Sequence, residues 1–150
     1  MSEQNKFQSE FETIRWKLHF SSSPRKVYKA LTTNKGRKGY WAESADEKDG
    51  KINYVFLNNI EDTGEILERI PNKKFSVVYF GWKVTFILSE DNSGGTDMEM
   101  ISENISESIK LEIVAGWVSW LMAMKAYVDF GVDLRSHDKN RTWFNGYVDN

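Results

Sequence analysis

Cysteine is absent from this 150-residue chain, proline occurs only at positions 24 and 71, and histidine only at 19 and 137. Without a thiol there is no disulfide, no thiolate nucleophile and no zinc or iron–sulfur site built on sulfur. Two prolines and ten glycines, nowhere gathered into a Gly/Ser-rich stretch, leave no interdomain linker, so one domain over residues 1–150 is expected. A preponderance of one charge is also lacking. Twenty basic against 22 acidic residues give a formal charge of -2, which offers no global attraction to nucleic acid or to an anionic bilayer. No apolar run approaches the ~20 residues that span a bilayer, and Met1 to Glu12 reads as polar, without a signal peptide. A cytoplasmic protein without membrane insertion is therefore expected.

What the chain has in abundance is rings: six tryptophans, six tyrosines and nine phenylalanines, each able to bury about 150–250 Å². Their placement is periodic. From Phe11 to Phe20 the chain alternates, with Ile14, Trp16, Leu18 and Phe20 on one face, which predicts a half-buried strand. Ser23-Pro24 supplies a helix cap and a first-turn proline, and Val27, Ala30 and Leu31 follow at helical spacing to about Thr32. Gly36 and Gly39 then turn the chain. Further strands are predicted around Tyr54, around Ile66, over 75–80, over 82–88 and from Thr96 onward, with a hairpin loop at Asp91-Asn92-Ser93-Gly94-Gly95.

The period changes near Ser106. Ile109, Ile113, Trp117, Trp120, Met124 and Tyr127 recur at three- and four-residue steps up to Gly131, predicting a long amphipathic helix. One strand, short helices, about six antiparallel strands and a final long helix make an α+β order. A curved sheet wrapped around the last helix buries these elements most simply, and such an arrangement commonly leaves a cavity.

In this order and spacing, Phe20 to Pro24 with Val27 to Thr32, Gly64-Glu65-Ile66, Gly95-Thr96-Asp97, and Gly116-Trp117 through Leu121 and Lys125 to Tyr127 resemble the START-like, or SRPBCC, superfamily. Its fold is the helix grip, also seen in the Bet v 1 type of plant allergen. Within it, the chain is similar to the branch of the activator of Hsp90 ATPase homologues. The resemblance implies a curved antiparallel β-sheet gripping a long C-terminal α-helix, with two short helices after the first strand. Residues 132–150 look like a C-terminal extension of a bacterial subgroup, and Tyr40-Trp41 stands where the family often carries a tryptophan pair.

Parity then nominates a ligand site. Trp16, Leu18, Tyr54, Phe56, Tyr79, Phe86, Met98 and Met100 should face inward from the strands, opposite Trp117, Trp120, Leu121 and Met124 of the helix. Wide rings and adaptable methionines suit a small apolar or aromatic ligand oriented by one or two phenols; a filled core is the alternative. Catalytic residues, metal ligands and cofactors are not expected. His19 shares the wet side of its strand with Arg15 and Lys17, His137 lies in a polar tail, and no phosphate-cradling loop appears. The run from Arg25 to Lys38 holds six basic residues and no acidic one. Within it Lys35, Arg37 and Lys38 are candidates for a gate, or for a surface that docks a chaperone or another acidic protein. Leu111, Val118 and Met122 form a second apolar edge of the long helix. The tail residues Trp143, Phe144 and Tyr147 are expected to cover it, folding back within a monomer or crossing to a partner in a homodimer. The expected function is non-enzymatic hydrophobic-ligand binding. A co-chaperone or interaction module, and a small-molecule cyclase on the same fold, are the alternatives.

Overall fold

A computed structural model describes residues 12–149; Phe11 and most of the N-terminal stretch read above lie outside them. Seven strands form one antiparallel sheet, β1 (Thr13–Phe20), β2 (Ser44–Lys48), β3 (Lys51–Val55), β4 (Glu61–Ile70), β5 (Lys74–Tyr79), β6 (Trp82–Glu90) and β7 (Thr96–Glu103), in the spatial order β1-β7-β6-β5-β4-β3-β2. Consecutive hairpins build β2 to β7, and β1 closes against β7 with Trp16 opposite Met100 and Leu18 opposite Met98. Helices α1 (Pro24–Thr32) and α2 (Asn34–Lys38) carry the chain from one sheet edge to the other. The long helix α3 (Lys110–Phe130) follows the sheet.

Local chemistry explains the joints. The Ser23 side chain accepts from the Lys26 backbone N–H at 3.3 Å with Pro24 in the first turn. Thr33 ends α1 in an extended conformation, and its hydroxyl accepts from Gly36 N–H at 3.0 Å to start α2. Gly64 is required where β4 meets β5, because a Cβ there would lie 1.7 Å from the Val78 carbonyl oxygen. At the far end of α3, Gly131 takes φ 66° and donates to the Tyr127 carbonyl at 3.0 Å. Asp129 accepts from the backbones of Ser21 and Ser22 and from the Ser22 hydroxyl at 2.7 Å, tying that helix end to the β1–α1 corner.

Strand β2 stands where the sequence reading located no strand. Strand β2, Ser-Ala-Asp-Glu-Lys, has no apolar alternation, since it is an edge strand burying only Ala45. Helix α3 also departs from expectation. It is apolar on nearly all sides instead of amphipathic, and the segment 107–130 is by length and composition apolar enough to cross a membrane. In this fold the helix meets apolar surface on two sides. Trp117, Leu121, Met124 and Val128 are buried in the core, while Val118 and Met122 face the tail. The tail runs back along the Val118 and Met122 part of that second side, with Trp143 and Phe144 beside them, and leaves Leu111 87% exposed.

Candidate ligand-binding groove

Tyr40 and Trp41, just after α2, are the centre of a ring cluster. Both are buried, and the Tyr40 hydroxyl donates to the Ala30 carbonyl at 2.9 Å. Gly39 lets the Tyr127 ring approach so closely that a Cβ at position 39 would sit 2.2 Å from it. The Trp41 ring lies 4.9 Å from Trp120, 5.2 Å from Tyr54 and 5.5 Å from Tyr79, centroid to centroid, and Trp120 stacks on Phe86 at 5.3 Å. Burial pushes the phenols of Tyr40, Tyr54 and Tyr79 above their ordinary range, so all three stay protonated near neutral pH.

Beside this cluster, a groove of about 640 Å³ opens between α3, the turn Leu57–Asn59, the β5–β6 turn and the tail. Tyr40, Trp41, Tyr79 and Trp120 form its floor, Phe56, Leu57, Ile60 and Phe80 one wall, and Ala115, Val118, Ser119 and Met122 the other. Leu134, Trp143, Phe144 and Val148 close over it from the tail. Phe80 reaches this wall from a left-handed turn, at φ 50° with Gly81 at 79°, and Asp62 holds the turn by accepting the Phe80 N–H at 2.7 Å. A second cavity of about 140 Å³ adjoins the groove, lined in part by Trp82, Ile113 and Trp117.

The residues nominated by parity therefore divide. Phe56, Tyr79 and Trp120 line the groove, and Trp117 lines the smaller cavity. Tyr54, Phe86, Met98, Met100, Leu121 and Met124 are buried in the core and line neither, and Trp16 and Leu18 pack half-buried against the same core. Parity finds which side chains point inward; it does not tell where the rings fail to meet. The second apolar edge of α3 and the aromatic tail were the informative signals, since Val118, Met122, Trp143 and Phe144 all line the groove. Ala42, Leu57 and Ile60, in irregular segments, carried no periodic signal.

The basic stretch requires a correction. Arg37 belongs to no surface: it is fully buried and donates to Ala45 O at 2.9 Å, Leu31 O at 3.0 Å and Asn34 Oδ1 at 2.8 Å. The acceptors come from α1, from the first residue of α2 and from β2, and they hold the guanidinium in the interior. Lys35 and Lys38 are exposed on α2, and none of the three lines the groove.

Charge at the groove comes from elsewhere. Glu43, Arg135 and Asp149 are the charged residues among its described lining. Arg135 is already engaged, donating to Ala42 O at 2.8 Å, to Lys38 O at 2.6 Å and to both Asp133 oxygens at 3.0 Å. His137 bridges Glu43 Oε2 and Asp133 Oδ2, each at 2.7 Å. Burial acts to raise the Asp133 carboxyl, yet hydrogen bonds from Arg135 and His137 bring it down to about 2. The Asp133 hydrogen bond, against some burial and with help from Glu43, raises the His137 pKa. The other histidine, His19, is exposed and pairs with Asp91 at 2.6 Å. Among the described residues no group of three or more His, Asp or Glu side chains is placed to hold a metal ion.

The family model described as Activator of Hsp90 ATPase homolog 1-like protein matches residues 21–129, from the β1–α1 corner to the Asp129 that clamps it. The chain belongs to this family. Solved structures share its helix-grip fold. Protein SSP2350 from Staphylococcus saprophyticus superimposes with a TM-score of 0.71 at 20% identity, over 82% of this chain and 96% of that one. The Aha1 dimer from Colwellia psychrerythraea gives 0.70 at 21% identity, over 79% and 97%. EF2215 from Enterococcus faecalis, a conserved protein of unknown function, gives 0.68 at 22% identity, over 87% and 85%. No functionally curated protein matches the chain. The family match ends at residue 129, so the floor of the groove and its α3 wall lie within the family's domain and the covering tail lies beyond it.

Proposed function

We propose that this member of the Hsp90-activator homologue family is a non-enzymatic binding protein that holds a small, uncharged apolar or aromatic molecule in the groove between α3 and the tail. The observation that carries this reading is the second apolar face of α3, which meets a space of about 640 Å³ instead of packed side chains. Rings and methionine would supply the affinity through dispersion and desolvation. Among the described residues the site offers no free cation for an acidic headgroup, because Arg135 is engaged with Asp133 and two backbone carbonyls. Catalysis plays no part in this reading: neither histidine lines the groove, His19 pairing with Asp91 and His137 with Glu43 and Asp133.

The test is titration with N-phenyl-1-naphthylamine, a neutral dye that brightens in apolar surroundings, beside native mass spectrometry of gently purified protein. Saturable one-to-one binding is expected, and Ala115→Trp, which fills the groove from an exposed helix position, should weaken it at least tenfold while leaving the fold intact. Equal binding by the two proteins would remove the groove from the mechanism.

A second reading, a protein-interaction module of the co-chaperone kind, has its support in the exposed cations Arg25, Lys26, Lys29, Lys35 and Lys38 on α1 and α2. Its test is salt-sensitive stimulation of Hsp90 ATP hydrolysis, lost in the double variant Lys35→Glu, Lys38→Glu.

A further inference from the structure

The groove and the smaller cavity share Tyr79, Phe80, Gly116, Trp120 and Trp143 as lining residues. Four of these belong to α3 or to β5 and its turn; Trp143 alone comes from the tail. Its ring rests over Gly116, where an added Cβ would be 3.7 Å from it, and its indole N–H donates to Glu112 Oε1 at 2.9 Å. The short turn that carries it is closed on itself, with the Thr142 N–H and hydroxyl both donating to Asn145 Oδ1, and Thr142 is 2% exposed. A fixed turn thus holds one large ring in the lining that the two adjoining apolar spaces share. Beyond the ring lie Trp82, Ile113 and Trp117, and Trp117 is nine-tenths buried with an indole N–H that has no partner among the described residues.

We propose that Trp143 is the specificity-determining partition of one elongated binding site, confining the ligand to the larger chamber and setting the length of molecule the protein accepts. This rests on the groove being the ligand site. Carboxylates stand at both chambers, Glu43 and Asp149 in the larger and Glu112 in the smaller, while Arg135 is neutralised by Asp133. The site therefore takes uncharged apolar molecules that fit the larger chamber and rejects fatty acids of the same length.

Two neutral probes separate the outcomes, the compact N-phenyl-1-naphthylamine and the rod-shaped 1,6-diphenylhexatriene. Trp143→Ala should bind the rod at least tenfold more tightly than the unaltered protein does, whereas the compact dye, having lost one wall ring, should bind no more tightly. With 5-fluorotryptophan incorporated, the Trp82 resonance should move on addition of the rod only in that variant. Adding Ile113→Trp to Trp143→Ala refills the small chamber and should abolish the gain for the rod while sparing the compact dye. A gain that survives this refilling comes from a displaced tail and overturns the proposal, as does equal rod binding with Trp82 unmoved. Failure of the compact dye to bind the unaltered protein removes the groove reading and this inference with it; binding of that dye with indifference to the rod removes only the partition.

Discussion

On one face of α3, Trp117, Leu121, Met124 and Val128 are 5% exposed or less; on another, Val118 and Met122 are 43% and 50% exposed. The residue types are the same and the surroundings are not. The first face meets a sheet whose rings interlock with its own, Trp120 lying between the two faces and touching Phe86, Trp41 and Trp117. The second meets a tail that crosses at a few pinned points, Arg135, His137, Trp143 and the backbone of Val148, which accepts from Ser119. Packing with rings fills the interior, and packing with a strap leaves a groove. Apolar character thus marks both the core and the binding face, and only the density of what lies opposite tells them apart.

The sharpest contrast is in stability. Phe86→Ala on the filled side should cost about 3–5 kcal/mol in urea unfolding, because its neighbours cannot close the cavity it leaves. Met122→Ala on the groove side should cost less than about 1 kcal/mol and instead weaken dye binding. Equal costs would erase the distinction between the faces. Next, Arg37→Met should destabilise by about 3 kcal/mol, since it takes the guanidinium from the buried Leu31 O and Ala45 O, while Asn34 Oδ1 keeps the Glu47 N–H. A loss near zero would return Arg37 to the surface role the sequence suggested.

A smaller effect is expected from pH. His137 faces Glu43 from the segment before β2, and Asp133 and Arg135 from its own tail. Its folded pKa is raised above 6.5, so its contribution is complete below that value and lost as pH rises through the raised pKa. Cleavage of the tail by trypsin should quicken across that range, and His137→Gln should flatten the profile. The smallest effect is reserved for Lys35→Glu with Lys38→Glu, within about 0.5 kcal/mol in stability and silent in dye binding.

Much of the fold was legible because its signals are local. The Ser23-Pro24 cap, the parity of Trp16 to Phe20 and of Met98 with Met100, and the helical spacing up to Gly131 each depend on neighbours in sequence, and each element lies where they point. Strand β2 was not legible, since an edge strand of polar residues differs little from a loop. Nor was the fate of Arg37, whose acceptors on three segments come together only in the fold. The groove was half legible: Val118, Met122, Trp143 and Phe144 announced an uncovered face, but whether that face would be sealed or left hollow depends on tertiary packing that no spacing encodes.

The most direct test uses the methionine methyl groups as internal witnesses. Met122 lines the groove, while Met98, Met100 and Met124 are buried in the core. Addition of N-phenyl-1-naphthylamine to protein labelled with carbon-13 at the methionine methyls should displace the Met122 resonance by the ring current of the bound dye and leave Met98, Met100 and Met124 in place. Movement of the three core methyls with Met122 unchanged would show the ligand entering the interior between sheet and helix, and would contradict the groove as its site.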